Sequence, residues 1–274
     1  MDITSKTLKL NKKGDVLYFS FPDFDNLNLV KHGFSTRLGG VSTGMYKSMN
    51  LSFNQGDKEE DVLENYKRFS NALDIKLEDI VLTHQTHSAN IRIVSEKDKG
   101  KGILTPRDYD DIDGLITNIK NIALATIHAD CVPLFFIDPK LKIIGLAHSG
   151  WKGTVNKIGE NMISVFKENY GSRPQDILVG IGPSIGPCCF EVGVDVKEEF
   201  EQMTPSISEC IRPVGEKYHI DLWQVNKKIL MNVGVLEENI KTTDVCTMCN
   251  KEVLFSHRGS LGKRGSLLAI LELC

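Results

Sequence analysis

The chain has 274 residues, of which 41% are hydrophobic and 25% are charged, and its formal net charge is −3 at pH 7. It can bury a large core, as one big domain or two small ones. No stretch approaches the ~20 apolar residues of a membrane helix, and the mixed charges give no basic footprint for nucleic acid. Seven irregularly spaced cysteines suit reduced thiols, and no signal peptide is evident, so we expect a cytoplasmic protein.

The first 52 residues combine a lead-in with a glycine-rich stretch. Residues 1–32 are predicted to be a polar lead-in with one strand at Val16–Phe21. Four glycines and several hydroxyls between Gly33 and Ser52 indicate a structured loop. Glycine lets the backbone approach a ligand closely, so Arg37 is a candidate for anion or substrate binding, the alternative being a solvated arginine.

Two histidines follow the next helix and strand. Apolar spacings near three and four predict a helix over residues 58–73. The segment from Ile80 to His87 then predicts a strand that runs into a loop, and residues 91–94 another strand. His84 and His87 are three apart, but the β-branched context argues against a helix, so spacing alone does not choose between them. Residues 97–111 are predicted to be a mobile surface loop.

The centre of the chain contains short apolar runs bounded by polar residues, proline or glycine. They predict buried strands at Ile122–Ile127, Val132–Ile137 and Ile143–Ala147. Side chains that can take part in catalysis or bind a metal lie at the strand ends, namely His128, Asp130, Cys131 and His148. Strand ends fix side-chain direction while loops leave room for a ligand, so this is a candidate reactive centre.

An amphipathic helix is predicted after Trp151, with Thr154 as its N-cap. His148 would then lie between a buried strand and a helix start whose free N–H groups suit an anion. Later elements are a strand at 177–181, helices near 194–202 and 222–233, and a last strand at 267–271. Pro183 and Pro187 interrupt the phosphate loop that should follow the Gly-x-Gly beginning at Gly180, so we reject a dinucleotide fold.

The Cys246-Thr-Met-Cys249 motif has no evident second pair to complete four ligands. We therefore interpret these residues as buried or loop thiols rather than a zinc ribbon.

Cys131, His148 and an upstream histidine permit two chemistries. One is a Cys–His nucleophile pair; the other is a metal site whose two imidazoles and one thiolate suit Zn²⁺ and leave a fourth position open. The alternative is that Cys131 and His148 are buried structural residues that do not act together.

Several long motifs occur in order from residue 33 onwards. They are Thr36-Arg-Leu-Gly-Gly-Val-Ser42, Asn50-Leu51, Gln85-Thr-His87, Asp113-Gly-Leu-Ile-Thr117, His128-Ala-Asp-Cys-Val-Pro133, Ala147-His-Ser-Gly-Trp-Lys-Gly153 and Gly182-Pro-Ser-Ile-Gly-Pro-Cys-Cys-Phe-Glu191. In these motifs the sequence resembles the laccase-domain family, long labelled multicopper polyphenol oxidoreductase. That family is now described as purine nucleoside phosphorylase and adenosine deaminase.

The resemblance implies a fold, a metal site and substrate contacts. The fold is α/β, a single domain over residues 1–274 with mixed sheets flanked by helices, in the group that includes cysteine-dependent toxin deamidases. The implied ligands of Zn²⁺, or alternatively copper, are His87, Cys131 and His148, which are also the catalytic candidates. Candidate substrate-binding residues are Arg37, Asn50, Lys152 and Arg258. Lys263-Arg264-Gly265 departs from the family's usual Gly-Arg, so we prefer Arg258 to Arg264 as the basic residue.

The implied reactions are phosphorolysis of adenosine, inosine, guanosine or S-methyl-5'-thioadenosine by inorganic phosphate, and adenosine deamination. Nucleic acid and membrane are not expected partners. Two alternatives stay open. Copper-dependent phenol oxidation is disfavoured by seven scattered histidines without a His-x-His pair. A metal-free Cys–His hydrolase or amidase would use Cys131 and His148. The zinc hypothesis requires His87, Cys131 and His148 to meet at one point.

Overall fold

The computed structural model describes residues 3–274, and two six-stranded sheets form its centre. Its strands are β1 (Lys9–Lys13), β2 (Val16–Ser20), β3 (Val30–Ser35), β4 (Ile80–Leu82), β5 (Ile91–Ile93), β6 (Gly114–Thr117), β7 (Ala123–His128), β8 (Val132–Asp138), β9 (Ile143–Ser149), β10 (Leu178–Ile181), β11 (Glu191–Val192), β12 (Ile211–Val214), β13 (Lys217–Ile220), β14 (Ile240–Thr242) and β15 (Leu267–Leu273). Its α-helices are α1 (Pro22–Asp25), α2 (Glu59–Ala72), α3 (Trp151–Val155), α4 (Ile158–Tyr170), α5 (Val194–Glu201) and α6 (Leu222–Asn232).

Both large sheets mix parallel and antiparallel strands. The first has the order β1-β2-β3-β15-β7-β4, and the second has the order β14-β10-β8-β9-β6-β5. A small third sheet, β11-β13-β12, is antiparallel. Strands β8, β9 and β15 are buried along their whole length, as expected for apolar runs covered on both faces. The predicted architecture of mixed sheets flanked by helices is confirmed.

The alternation of side chains along the strands builds four layers, helix–sheet–sheet–helix. On β7, Leu124 points into the core between the two sheets, where it joins Phe135 and Leu146 of the second sheet. Its neighbour Ala125 points to the other face, which packs against Tyr66 of α2. Helices α4 and α6 cover the outer face of the second sheet. Successive strand residues face opposite sides, so one continuous apolar run serves two cores.

Most elements predicted from local pattern are confirmed, including the three central strands and the helices near 58–73, 194–202 and 222–233. Three boundaries were wrong. The expected lead-in forms β1, β2 and part of β3, although its residues 1 and 2 lie outside the described chain. The loop expected from Gly33 begins only after Ser35. Thr154 lies inside the short α3, and Gly150 and Lys157 are the residues before α3 and α4.

Candidate metal centre

Cys131 and His148 are brought together by the register of two strands. β8 and β9 are antiparallel, with Pro133 opposite His148 and Val132 opposite Ser149. Cys131 directly precedes β8, in the short connection that carries the chain from β7 of the first sheet to the second. A residue at the start of one strand therefore meets a residue at the end of its neighbour.

His87 reaches the same point on a loop that Asp113 holds. The loop connects β4 of the first sheet with β5 of the second. The buried Asp113 carboxylate accepts backbone N–H groups from Thr86 at 3.0 Å, His87 at 3.2 Å and Ser88 at 2.9 Å. His87 has a φ of +66°, an uncommon conformation for a residue with a side chain. Three converging hydrogen bonds fix the backbone in this conformation.

The three expected side chains converge. The ligand atoms of His87, Cys131 and His148 all lie within 4.8 Å of one another, and Cys131 Sγ is 3.9 Å from His87 Nε2. His84 is not one of the converging side chains: its backbone is bridged to Ile112, and its Nδ1 lies 3.5 Å from Asp110 Oδ1. The structure thus brings together His87, and not His84, with the central pair.

One carboxylate holds both the His148 ring and the backbone of His87. His148 Nδ1–H donates to Asp113 Oδ1 at 2.7 Å, which leaves Nε2 directed toward Cys131. Such carboxylate–histidine pairs fix the tautomer of metal-binding imidazoles. Asp113 stood in a quoted motif, but sequence reasoning gave it no role. An aspartate immediately before a strand that pairs with β9 was the available signal.

The ionised forms of Cys131, His148 and Asp113 stabilise one another. Burial raises the pKa of the Cys131 thiol, but the His148 and His87 imidazoles outweigh burial and lower that pKa to about 6. Burial lowers the pKa of His148, but the Cys131 thiolate and Asp113 raise it to about 9. Burial also opposes ionisation of Asp113, and the hydrogen bond from His148 lowers its pKa to about 2. These shifts favour the thiolate form of Cys131, which is the form that binds a metal.

The cluster fits a metal ion of the zinc type. Two imidazoles and one thiolate are ligands that Zn²⁺ takes, with a fourth position left for water or substrate. Gly150 leaves the space for it: a Cβ there would lie 2.8 Å from His87 Cδ2 and 3.1 Å from Cys131 Sγ. A larger residue would fill the position beside the ligands.

A cavity of about 840 Å³ opens over the cluster. This volume lies within the range of small-molecule sites. Besides the three converging side chains, its wall includes the aromatic residues Phe53, Trp151 and Phe190 and the basic residues Arg107, His257, Arg258 and Arg264. The cavity therefore combines a metal-capable floor with apolar faces for a ring system and positive charge for an anion.

Three of the four substrate-binding candidates lie outside this wall. The Arg37 guanidinium donates to the carbonyls of Lys47 and Lys251, each at 2.9 Å, and stacks on Phe255. Asn50 is fully buried and accepts the N–H of Ser266. These two residues therefore hold loops together.

The remaining two candidates differ. Lys152 is exposed and its ammonium lies 5.6 Å from the Trp151 ring centroid, outside the cavity wall. Arg258 lines the cavity, and its guanidinium donates to the carbonyl of Glu191 at 2.9 Å. Arg258 is the one candidate of the four that the structure places at the cavity.

Arg264, which the sequence analysis set aside, also lines the cavity. Its guanidinium donates to Ser266 Oγ at 2.7 Å. Burial lowers its pKa, while the charges of Asp130 and Cys131 act in the opposite direction. The structure therefore places both arginines in the cavity wall, and the preference for Arg258 over Arg264 as the basic residue stays a prediction.

His128 and Asp130 are engaged inside the wall. His128 is buried, with Nε2 2.7 Å from Thr126 Oγ1 and Nδ1 3.0 Å from the Cys131 carbonyl, and burial holds its pKa well below the usual value. Asp130 accepts Thr247 Oγ1–H at 2.6 Å and the Arg258 N–H at 2.7 Å. Both residues therefore fix the connection that carries Cys131.

The statement that Cys246 and Cys249 have no second pair was wrong. Cys188 and Cys189 meet them, and the four Sγ atoms lie within 4.8 Å of one another. Within residues 3–274, this cluster and the His87–Cys131–His148 cluster are the groups of histidine, cysteine and acidic side chains with such spacing. The two pairs are more than 50 residues apart, so cysteine spacing alone did not reveal the match.

The sequence and the fold match a known family. The family model described as "Multi-copper polyphenol oxidoreductase laccase" matches residues 31–274. The chain belongs to this family, as its motifs indicated. A relative from Bacillus subtilis (strain 168), named purine nucleoside phosphorylase YlmD, is 36% identical over 244 residues, covering 87% of each protein.

Solved structures agree with the fold. The crystal structure of Bacillus licheniformis hypothetical protein YfiH has a TM-score of 0.91 at 31% identity and covers 98% of this chain and 100% of that one. YlmD from Geobacillus stearothermophilus has a TM-score of 0.88 at 32% identity, covering 96% and 98%. In the described part of this chain, no helix has both the length and the apolar character to cross a bilayer.

Proposed function

We propose that this chain is a purine nucleoside phosphorylase whose His87, Cys131 and His148 bind Zn²⁺ at the floor of the cavity. The observation that carries the proposal is the convergence of these three side chains within 4.8 Å, with Asp113 orienting His148. A relative named purine nucleoside phosphorylase supports the reaction class. The free cysteines fit the cytoplasmic location that we also propose.

The proposed substrates are inorganic phosphate and a purine nucleoside: adenosine, inosine, guanosine or S-methyl-5'-thioadenosine. Aromatic side chains such as Phe53 and Phe190 offer faces on which a purine can stack. Arg258 and Arg264 offer planar donors for the phosphate dianion. Substrate binding would thus hold the phosphate and the ribose carbon in reacting distance.

In phosphorolysis a phosphate oxygen forms a bond to the ribose C1′, the bond from C1′ to the purine nitrogen breaks, and the base takes up a proton. When bound, Zn²⁺ would supply a Lewis acid and a fixed positive charge. Asp113 accepts His148 Nδ1–H and the backbone N–H of His87, so the His148 imidazole and the loop that carries His87 are held in place before substrate arrives. The arginines would position phosphate, and the aromatic wall would exclude water from the reacting carbon.

Adenosine deamination is the second activity that we propose for the same cavity. Water adds to the purine carbon that carries the amine, and ammonia leaves. His128 and Asp130 are already committed to hydrogen bonds in the wall, so neither is our choice for moving the proton. The two reactions give different products from adenosine, because phosphorolysis yields adenine and deamination yields inosine.

One geometric observation favours a second candidate, a metal-free cysteine hydrolase. Cys131 Sγ lies beside the His87 and His148 imidazoles, which is the contact a thiol nucleophile requires. This reading would accord with the expected relation to toxin deamidases. A chelator separates the two, because a thiol hydrolase would keep its activity when metal is removed.

Copper-dependent phenol oxidation is supported less well. Two imidazoles and a thiolate also occur in mononuclear copper sites. A multicopper oxidase needs further histidine-rich centres, whereas the other metal-capable cluster within residues 3–274 consists of four cysteines. Metal analysis and a phenol assay without added copper test this alternative.

The central test compares wild type with Cys131→Ala in two assays, one for free purine and ribose 1-phosphate and one for the inosine and ammonia that deamination releases. We expect the variant to lose zinc from the site and to lose about 10³-fold or more in both activities, since a catalytic metal contributes several kcal/mol. Cys274→Ala is the matched control, because Cys274 is a half-buried free thiol outside both clusters. Phosphorolysis at the wild-type rate in Cys131→Ala would refute the assignment.

A further inference from the structure

Two parallel strands deliver four cysteines to one place. β10 and β14 are adjacent and parallel, with Ile181 opposite Thr242. The segments that follow them, residues 182–190 and 243–250, therefore leave the sheet at the same end and in the same direction. The first carries Cys188 and Cys189, and the second carries Cys246 and Cys249.

We propose that Cys188, Cys189, Cys246 and Cys249 bind one Zn²⁺ ion in a closed, structural tetrathiolate site. The Cys249 Sγ atom is 3.5 Å from Cys188 Sγ and 3.4 Å from Cys189 Sγ, and all four sulfurs lie within 4.8 Å. Sulfurs around a tetrahedral zinc with Zn–S of about 2.3 Å are about 3.8 Å apart. A disulfide would require about 2.05 Å, so the sulfurs are not bonded to one another and their spacing fits a shared ion.

The backbone around the cluster is built for close approach and for sulfur ligands. The Gly186 N–H donates to Cys246 Sγ at 3.2 Å. A Cβ at Gly186 would lie 2.8 Å from the Trp223 ring and 3.2 Å from Cys246 Cβ, so a side chain would push the two segments apart. Hydrogen bonds to the ligand atoms orient metal sites and stabilise the thiolate form.

Each pair of cysteines sits in a turn of its own. The Cys189 N–H donates to the Gly186 carbonyl at 2.9 Å, and both the backbone and the side-chain N–H of Asn250 donate to the Cys246 carbonyl. Ser184 and Cys246 form a parallel bridge between the turns, and Thr247 N–H donates to the Ser184 carbonyl. Both halves of the site are therefore preorganised, and the ion would lock them together.

This second site would support the cavity wall. Thr247 lies between the two ligands of its turn and donates to Asp130, while the Ile185 N–H donates to the Asp130 carbonyl at 2.9 Å. Asp130 directly precedes Cys131. An ion that joins the two cysteine segments would thus hold the connection carrying Cys131, and its role is structural because four thiolates leave no position for substrate.

The first experiment measures zinc per chain by elemental analysis after loading with Zn²⁺, in the Cys131→Ala background that removes the other site. We expect one zinc per chain, and none when Cys188→Ser and Cys249→Ser are added. Cys274→Ser in the same background is the control and should keep its zinc. Co²⁺ in place of Zn²⁺ should give the intense thiolate-to-metal absorption of a sulfur-only site. Equal zinc content with and without the two serines would overturn the proposal.

The second measurement needs no variant and therefore does not depend on whether a substituted chain folds. Wild-type protein is alkylated with iodoacetamide, and the modified cysteines are mapped by mass spectrometry. Cys188 and Cys249 are exposed, so they should be protected with Zn²⁺ and react rapidly after chelation, while Cys274 changes little. Equal labelling in both conditions, a Cys188–Cys249 disulfide in freshly purified protein, or iron with sulfide at the site would each contradict it.

Discussion

The two metal-capable clusters differ in their ligand atoms and in whether the fourth coordination position is open. The cluster of His87, Cys131 and His148 has three ligands and opens into a cavity of about 840 Å³. The cluster of four cysteines has four ligands of its own, and it joins two turns that support the cavity wall. Three ligands with an open position are typical of catalytic zinc, and four thiolates are typical of structural zinc.

The difference shows how one fold can use metal in two ways. Both clusters arise where strands end at the same edge, because register brings distant residues together there. What separates their roles is the space beside the ligands. Gly150 keeps that space open at the first cluster, whereas Gly186 lets two segments close on each other at the second. The following predictions test this division, beginning with the largest effect.

Metal removal should separate the two clusters in time. We expect EDTA to take zinc first from the open site, with activity falling about 10³-fold, because that ion has fewer protein ligands and faces the cavity. The tetrathiolate zinc should leave later, together with a fall in melting temperature. Activity, zinc content and thermal unfolding are followed on the same sample. Simultaneous loss of both ions, or activity that survives chelation, would break the distinction.

Asp113→Asn tests the positioning of the open site. The Asp113 Oδ1 atom accepts His148 Nδ1–H, and Oδ2 accepts the Thr86 and Ser88 N–H groups, so an amide NH₂ would oppose two donors. We expect zinc affinity and activity to fall by about 10–100-fold, with partial recovery of activity at excess Zn²⁺. Asp110→Asn is the control, since that carboxylate is 92% exposed. No dependence on added Zn²⁺ would indicate a merely structural role.

Arg264→Gln tests the anion-binding side of the cavity. Losing a charge-assisted contact should raise the KM for phosphate by about tenfold and leave kcat nearly unchanged. Arg37→Gln is the matched comparison, because its guanidinium is bound to the carbonyls of Lys47 and Lys251, and its KM should stay within about twofold. A larger rise in the KM for phosphate in Arg37→Gln than in Arg264→Gln would place the phosphate site near Arg37 instead.

Cys246→Ser tests the closed cluster with a smaller expected effect on activity. We expect the free energy of unfolding to fall by about 3 kcal/mol and the melting temperature by roughly 5–10 °C, with activity reduced by less than about tenfold. Cys210→Ser provides the control, because Cys210 is 6% exposed and Cys246 is 5% exposed. Scanning calorimetry of zinc-loaded proteins gives the comparison. An equal loss of stability in both variants would assign the effect to burial alone.

Elements with a strong local period were predictable, and residues placed by distant neighbours were not. The apolar runs of β7, β8 and β9 were predictable as strands because each is short and bounded by polar residues, proline or glycine. Arg37 was a candidate because glycines surround it, but backbone carbonyls occupy its guanidinium. Arg264 faces the cavity because β15 returns beside β7. These two outcomes depend on how the chain folds back on itself, which the local sequence around each arginine does not specify.

The sequence by itself determined the mixed strands and helices and, through its motifs, the family and the three candidate ligands. Only the tertiary structure decided that Asp113 orients His148 and that Cys188 and Cys189 meet Cys246 and Cys249. The reason is physical: hydrophobic period and turn chemistry act within a few residues, whereas strand order and register determine which distant side chains share a point in space.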